Sequence, residues 1–447
     1  MNHQDRIGCT RDDRRRADAD RYARPGPVGV QRVSRALPGE VERLFFLKLY
    51  LDHRSLSPVA LGRAGAAANC WEGRLRHVLG VRFQPGHRIG VLRNGREIFP
   101  AMLDAIEQAR HSIEVLFFVF WKGDIAERVC QALIERADAG VRVRVVLDGF
   151  GSTPMPARLK DRLNDSAVEL RVFHPVPHWK FWGLDARTHR KILVVDGKRG
   201  FTGGVGIAEE WTGDAGDAEH FRDTQFDLTG PAVDELRAAF FANWAAAGGA
   251  LPADLHIPRP HPKTGCRAAV VAAEGAERWS KVALMFQSLT RLADERLDIV
   301  TPYFVPGATL VEAINVASRR GVRIRIMVSG RNTDHPLARR AGQRCYAALL
   351  AAGVEIHEYD RTLLHTKAVI VDQRLVCIGS PNMNQRSQSL DDEIAVLIDD
   401  ADLADELLRD FEYDRSHCRA IERESWAQRG AWQRTREWWA GRMEAQL

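Results

Sequence analysis

From about His87 onward the apolar positions fall into regular patterns. Ile89 to Leu92 reads as a strand, and Asn94-Gly95 as a tight turn. Pro100 to Ala109 carries helical periodicity. Ile113 to Phe120 (IEVLFFVF) is almost wholly apolar, as a strand buried on both faces would be. A helix is predicted from about Ile125 to Ala139, then a second strand from Val141 to Leu147. Strand alternating with helix predicts an α/β layered fold.

The same order then recurs. Leu297 to Phe304 matches the first apolar strand, and Ala308 to Ser318 reads as the helix after it. The run Gly-Val-Arg-Ile-Arg-Ile at 321–326 matches Gly-Val-Arg-Val-Arg-Val at 140–145. Val354-Glu-Ile matches Val168-Glu-Leu, and Gly203-Gly204 matches Gly379-Ser380. Thr188 to Asp196 (THRKILVVD) matches Leu364 to Asp372 (LHTKAVIVD). Several matches in one order, about 180 residues apart, identify an internal duplication.

The repeats organise the chain into a first half over 87–248 and a second over 266–420. Between them, 249–265 reads as a linker marked by Pro252, Pro258, Pro260 and Pro262. Residues 1–40 alternate Arg, Asp and Ala before Pro25-Gly-Pro27 and read as a solvated tail. Residues 41–86 contain an apolar cluster around Phe45 and Phe46 and read as a helical extension. Residues 421–447 combine Trp426, Trp432, Trp438 and Trp439 with several arginines, as an interfacial or body-packed helix would.

Length and composition fit this picture. The chain has 447 residues, too many for one ordinary core. Its 64 Lys and Arg against 59 Asp and Glu give a formal charge of +5, which suits anionic partners without selecting one. Seven widely spaced cysteines with no C-x-x-C suggest neither a disulfide framework nor a zinc site. No stretch has the length and apolarity of a membrane span, and the N-terminus lacks the apolar core of a secretory signal. The expected location is therefore the cytoplasmic side, with any membrane work done from the surface.

The candidate chemistry lies in the duplicated H-x-K-x4-D: His189, Lys191 and Asp196, then His365, Lys367 and Asp372. Strand alternation puts each His and Lys on one face, at the start of an apolar strand. Two lysines can neutralise a phosphodiester as charge builds on its oxygens. One neutral histidine can attack phosphorus, and the other, protonated, can serve the leaving oxygen. A histidine pKa near ~6.5 allows the two rings opposite protonation states. No metal or other cofactor is required. Asp223 and Glu393, at matching places after the small-residue turns, are the carboxylates expected to fix the histidine tautomers. Asp196 and Asp372 complete the motif and are read as ending the strands or anchoring the lysines.

These residues resemble the phospholipase D superfamily over about His87 to Cys418, and within it the short bacterial cardiolipin synthases that lack transmembrane helices. Supporting segments include Val146-Leu-Asp-Gly-Phe-Gly-Ser152, Pro302-Tyr-Phe-Val-Pro306 and Gly379-Ser-Pro-Asn-Met-Asn384. The resemblance implies an internally duplicated fold: two α/β/α halves packed face to face, with the active site in the cleft between them. It implies nucleophilic and acid/base roles for the two histidines, phosphate binding by the two lysines, and substrate contacts from Gly204, Ser380 and Asn382. One departure stands out. Gly206 occupies the place of Asn382 in the first half, so one expected phosphate contact is missing or replaced.

The segment 174–183 places Trp179, Phe181 and Trp182 ahead of the first motif, with Lys180 interleaved. That pattern suits contact with a membrane interface. It also suits base stacking, but a nuclease calls for a basic stripe, and here acidic residues such as Glu209, Glu210 and Asp214 interrupt. The expected partner is a phospholipid, phosphatidylglycerol, at a membrane surface, and not nucleic acid. The leading reading is a phosphatidyltransferase forming cardiolipin. A phospholipase D-type hydrolase releasing phosphatidic acid, a nucleic-acid phosphodiesterase and a non-catalytic scaffold remain as alternatives.

Overall fold

The computed structural model describes residues 70–176, 186–253, 264–275, 280–430 and 432, all within one unit spanning Leu56–Leu447. The aromatic segment Trp179, Phe181 and Trp182 lies outside the described residues, as do the tail at 1–40, the cluster around Phe45, and Trp438 and Trp439.

A helix, α1 (Cys70–Leu79), leads into the first repeat. That repeat runs β1 (Gln84–Arg93), α2 (Asn94–Glu107), β2 (Ser112–Phe117), α3 (Asp124–Asp138), β3 (Arg142–Asp148), α4 (Ala157–Asn164), β4 (Glu169–Phe173), β5 (Lys191–Val195), β6 (Arg199–Gly203), β7 (Thr224–Thr229) and α5 (Ala232–Ala246). The second repeat runs β8 (Cys266–Ala273), α6 (Lys281–Leu292), β9 (Arg296–Thr301), α7 (Ala308–Arg319), β10 (Arg323–Ser329), α8 (Pro336–Gly342), α9 (Tyr346–Ala351), β11 (Glu355–Tyr359), β12 (Ala368–Val371), β13 (Leu375–Gly379), α10 (Gln385–Ser389), β14 (Glu393–Asp399) and α11 (Ala401–Arg415). A short strand, β15 (Cys418–Ala420), and a short helix, α12 (Arg423–Ala427), follow.

The strand order shows the duplication directly. The first half reads β1-β7-β6-β5-β2-β3-β4, and the second reads β8-β14-β13-β12-β9-β10-β11 with β15 added at the edge. The two sets join through the antiparallel pair β1 and β8. In each, the apolar strand predicted from the sequence has one parallel and one antiparallel neighbour: β2 lies between β3 and β5, and β9 between β10 and β12.

Alternation along the strands distributes the core. On β5, Leu193 and Val195 face the helices of their own half, while Ile192 and Val194 face a cluster shared by both halves. On β12, Val369 and Val371 likewise face α6 and α7, while Ala368 and Ile370 enter the shared cluster. Helices α5 and α11 cover that shared cluster through residues such as Phe240, Trp244, Leu403 and Leu407. The halves are thus fused through apolar burial, which fixes the two motif strands relative to each other.

Two expectations change in detail. Asn94-Gly95 is not a loop turn: Asn94, at φ 54°, redirects the chain straight from β1 into α2. Asparagine tolerates that left-handed conformation, so one residue suffices. The first apolar strand ends at Phe117, and Phe120 instead forms an isolated bridge with Ile207. Trp426 packs against Tyr346 in the second-half core, so its role is packing, whereas Trp432 is exposed.

Candidate active site

Each motif histidine directly precedes its core strand and is pinned there by the opposite half. The His189 amide donates to the carbonyl of Asp392 at 2.9 Å, and the His365 amide donates to that of Arg222 at 2.7 Å. Parallel bridges Thr188–Asp392 and Arg222–Leu364 repeat the relation. The residues that follow these anchors, Glu393 and Asp223, then face the histidines across the junction. His189 Nδ1 lies 2.9 Å from Glu393 Oε1, and His365 Nδ1 lies 2.8 Å from Asp223 Oδ2. The carboxylates predicted at matching places are therefore exchanged between halves. With Nδ1 donating to a carboxylate, Nε2 is the unprotonated ring nitrogen, and at His365 it lies 3.2 Å from Lys367 Nζ.

The lysines follow the same pattern. Lys191 Nζ donates to the carbonyl of His189 at 2.7 Å, and Lys367 Nζ donates to that of His365 at 2.6 Å. Both are buried, and burial pushes Lys191 down to about 7 and Lys367 to about 8. Burial and the neighbouring lysines also lower both histidines, His189 well below its ordinary value. Before substrate arrives both rings are thus neutral, rather than in opposite states as the unperturbed pKa suggested. Burial raises Glu393. It acts on Asp223 too, but His365 and Lys367 outweigh it and hold Asp223 below the usual carboxylate range.

The remaining motif residues sort by place. Asp196 and Asp372 sit at the far ends of β5 and β12, with φ of 51° and 49°. Asp196 accepts from the amides of Arg110, His111 and Ser112, and Asp372 from those of Asp294, Glu295 and Arg296. The structure does not bring them to the histidines. They tie the loops entering β2 and β9, which agrees with the strand-ending reading and not with a catalytic one.

Ser380 is fully buried, and its hydroxyl donates to Glu393 and is approached by the Ile394 amide at 3.0 Å. Its hydrogen bonds thus hold the carboxylate of the histidine pair. Asn382 is buried near this turn, and its side-chain oxygen has no hydrogen-bond partner. Gly204 packs on the other pair. A Cβ there would collide with the Asp223 carboxylate, so the position of Ser380 has no side-chain equivalent in the first half.

Trp211 fills that gap, and sequence reasoning missed it. Its Nε1 donates to Asp223 Oδ2 at 2.8 Å, and its ring packs edge-on against His365 at 5.2 Å. The same indole explains Gly206: a Cβ there would meet Val119 at 2.7 Å and Trp211 at 3.0 Å. The signal available in the sequence was the vacancy itself, since a repeat lacking two polar side chains needs a donor from elsewhere. Arg190, between His189 and Lys191, was also missed. It points away from them and spans the halves, donating to Asn243 Oδ1 at 2.7 Å and to the Ala273 carbonyl at 2.8 Å.

The comparisons agree with this geometry. A family model described as "Cardiolipin synthase, PLD-like domain" matches residues 102–215 and 287–415, one segment in each half. Cardiolipin synthase A of Pseudomonas fluorescens is 31% identical over 339 residues, covering 76% of this chain and 70% of its own length. Cardiolipin synthase A of Pseudomonas aeruginosa is 34% identical over 329 residues, covering 73% and 67%. Among solved structures, phosphatidylserine synthase of Haemophilus influenzae superposes with a TM-score of 0.66 at 15% identity, covering 84% of this chain and 97% of that one, which establishes the fold. With the duplicated fold, the paired motifs and these matches together, the chain belongs to the phospholipase D-like cardiolipin synthase family.

Proposed function

We propose that the protein is a phosphatidyltransferase that makes cardiolipin from phosphatidylglycerol, with His189 as nucleophile and His365 as general acid and base. The observation that carries this reading is the geometry of the two exchanged pairs, His189 Nδ1 at 2.9 Å from Glu393 and His365 Nδ1 at 2.8 Å from Asp223, each with its buried motif lysine beside it. His189 is the ring held furthest from protonation, and its partner Glu393 is raised by burial. His365 faces Asp223, which stays anionic and favours an imidazolium there. A neutral imidazole is the better nucleophile, and an imidazolium is the acid a leaving alkoxide requires.

The phosphodiester anion binds between Lys191 and Lys367, whose charges it offsets. Its arrival favours protonation of His365. His189 Nε2 attacks phosphorus, the bond to the glycerol head group breaks, and His365 gives its proton to the departing oxygen. The phosphatidyl group now rests on His189. A hydroxyl of a second phosphatidylglycerol then attacks phosphorus, His365 takes its proton, and the bond to His189 breaks. Two phosphatidylglycerols thus give one cardiolipin and one glycerol. Asn382, buried beside the Ser380 turn, would contact the substrate phosphate through its Nδ2–H, because the phosphate oxygens can only accept.

The site requires access to a lipid surface. No helix among the described residues is long and apolar enough to cross a membrane. The reading is of a protein working at the cytoplasmic surface of the membrane, with Trp179, Phe181 and Trp182 as its contact. Supplying phosphatidylglycerol vesicles and resolving products by mass tests the function. Cardiolipin with released glycerol is expected. Phosphatidic acid alone would make the protein a hydrolase, and no turnover would overturn the reading.

A further inference from the structure

The two halves differ where they form the walls of the site. Bridges Phe120–Ile207 and Phe304–Met383 align the segments after β2 and β9, and place Val119 opposite Tyr303 in the repeat. Gly149 and Gly330 are likewise equivalent, each donating at 2.8 Å to the strand-end carbonyl of Phe173 or Tyr359. After Gly149 the chain continues Phe150-Gly151-Ser152, with Phe150 exposed. After Gly330 it continues Arg331-Asn332-Thr333-Asp334-His335. On the His189 side the wall is apolar, with the Phe118 ring 5.3 Å from the His189 ring. On the His365 side polar groups stand beside the Trp211 and Phe221 rings. The Tyr303 ring lies 6.2 Å from His365, and its hydroxyl donates to Asp334 at 2.7 Å.

Asp334 is about two-fifths exposed, close enough to Lys367 to favour that lysine's charge. Its loop is fixed: the Arg331 amide donates to Asp360 Oδ1 at 2.7 Å, and Asn332 Nδ2 to the Asp360 carbonyl at 2.8 Å. A carboxylate at this place is unfavourable for a phosphate, because like charges repel. It suits a neutral ligand that offers several hydroxyl donors, since bonds to an ionised acceptor are the strong ones.

We propose that Tyr303 and Asp334 form a polyol subsite on the His365 side, which receives the glycerol hydroxyls of the leaving and incoming head groups. This rests on the transferase reading above. The subsite adjoins the histidine that handles the proton of both alcohols. It selects an acceptor with a second hydroxyl over one without, and over water. Val119 at the equivalent first-half position has no polar group to do this.

The test is acceptor competition. Wild type, Asp334→Ala and Tyr303→Phe receive phosphatidylglycerol vesicles with equal concentrations of deuterated glycerol and ethanol, and products are resolved by mass. Wild type is expected to favour glycerol. Asp334→Ala is expected to lower the glycerol-to-ethanol product ratio about tenfold or more, as loss of bonds to a charged acceptor does. Tyr303→Phe keeps the ring, so it folds where a larger change would not. It should lower the ratio in the same direction by a smaller factor, about threefold. A ratio within twofold of wild type in both variants overturns the subsite. A wild type that transfers to neither alcohol and makes no cardiolipin overturns the transferase reading instead.

Discussion

His189 and His365 occupy equivalent places in the duplicated fold, yet their surroundings were assembled differently. Glu393 is held by a hydroxyl from its own turn, Ser380, and is raised by burial. Asp223 is held by an indole N–H from Trp211 and stays anionic. Where the second half carries Ser380 and Asn382, the first-half turn carries Gly204, packed on Asp223, and Gly206, packed on Val119 and the Trp211 ring. Duplication supplied two similar sets of groups that are electrically unequal, because burial dominates at Glu393 whereas His365 and Lys367 outweigh it at Asp223. Acid/base chemistry benefits from that inequality, because one imidazole must attack while the other carries a proton.

The largest effect that can break this comparison is loss of either ring. His189→Ala and His365→Ala should each lower turnover by roughly 10^4-fold or more, and the double variant should be little worse, since groups acting as one unit are non-additive. Independent, multiplying effects would show that the pairs do not act together.

The partners should separate the halves. Asp223→Asn removes the charge that favours the His365 imidazolium, and should cost roughly 10^2- to 10^4-fold in kcat. Glu393→Gln should cost less, because Glu393 serves a ring that attacks from its neutral form and gains charge only on bonding phosphorus. The reverse ranking of kcat, measured on protein shown folded by circular dichroism, would reverse the assigned roles. Trp211→Phe sharpens the comparison further. It keeps an aromatic ring against His365 and removes only the N–H, so a loss of about tenfold is expected, consistent with one hydrogen bond to a charged group.

Titration gives a smaller signature. A lysine with a lowered pKa is charged below that value and neutral above it. Lys191, at about 7, and Lys367, at about 8, should therefore lose phosphate affinity as pH rises through this window. In the free protein kcat/KM should fall above about pH 7 to 8, approaching tenfold per unit after the first lysine titrates. A flat profile to pH 9 would show that the lysines remain charged.

The smallest effects concern the turn residues. Asp196→Ala should cost roughly 1–3 kcal/mol of stability by freeing three amides, while kcat of the folded fraction changes little. Gly206→Asn should also destabilise, by about 1–3 kcal/mol, because its Cβ meets Val119. Denaturant unfolding measures both.

Much of this was legible in the sequence because it is local or repeated. The apolar runs at Ile113 and Leu297 gave the central strands through periodicity. The two H-x-K-x4-D runs gave the chemistry through residue type, and Asp223 and Glu393 were found by place in the repeat. What stayed hidden depends on contacts between distant segments. The exchange of carboxylates follows from backbone bonds between His189 and Asp392 and between His365 and Arg222, which no spacing encodes. Trp211 joins Asp223 and His365 from outside the motif. Asp196 and Asp372 were legible as strand-ending residues, and each lies at the opposite end of a core strand from its histidine. The lowered histidines were invisible, because burial by the assembled halves causes them.

The central claim is that the two histidines are unequal, with His189 carrying the phosphatidyl group. The direct measurement is to quench the protein during turnover of labelled phosphatidylglycerol at alkaline pH, where a phosphohistidine survives, and to map the label by mass spectrometry. The account predicts an acid-labile adduct on His189, absent from His189→Ala. Label on His365, or none on either histidine while cardiolipin is being made, would contradict it.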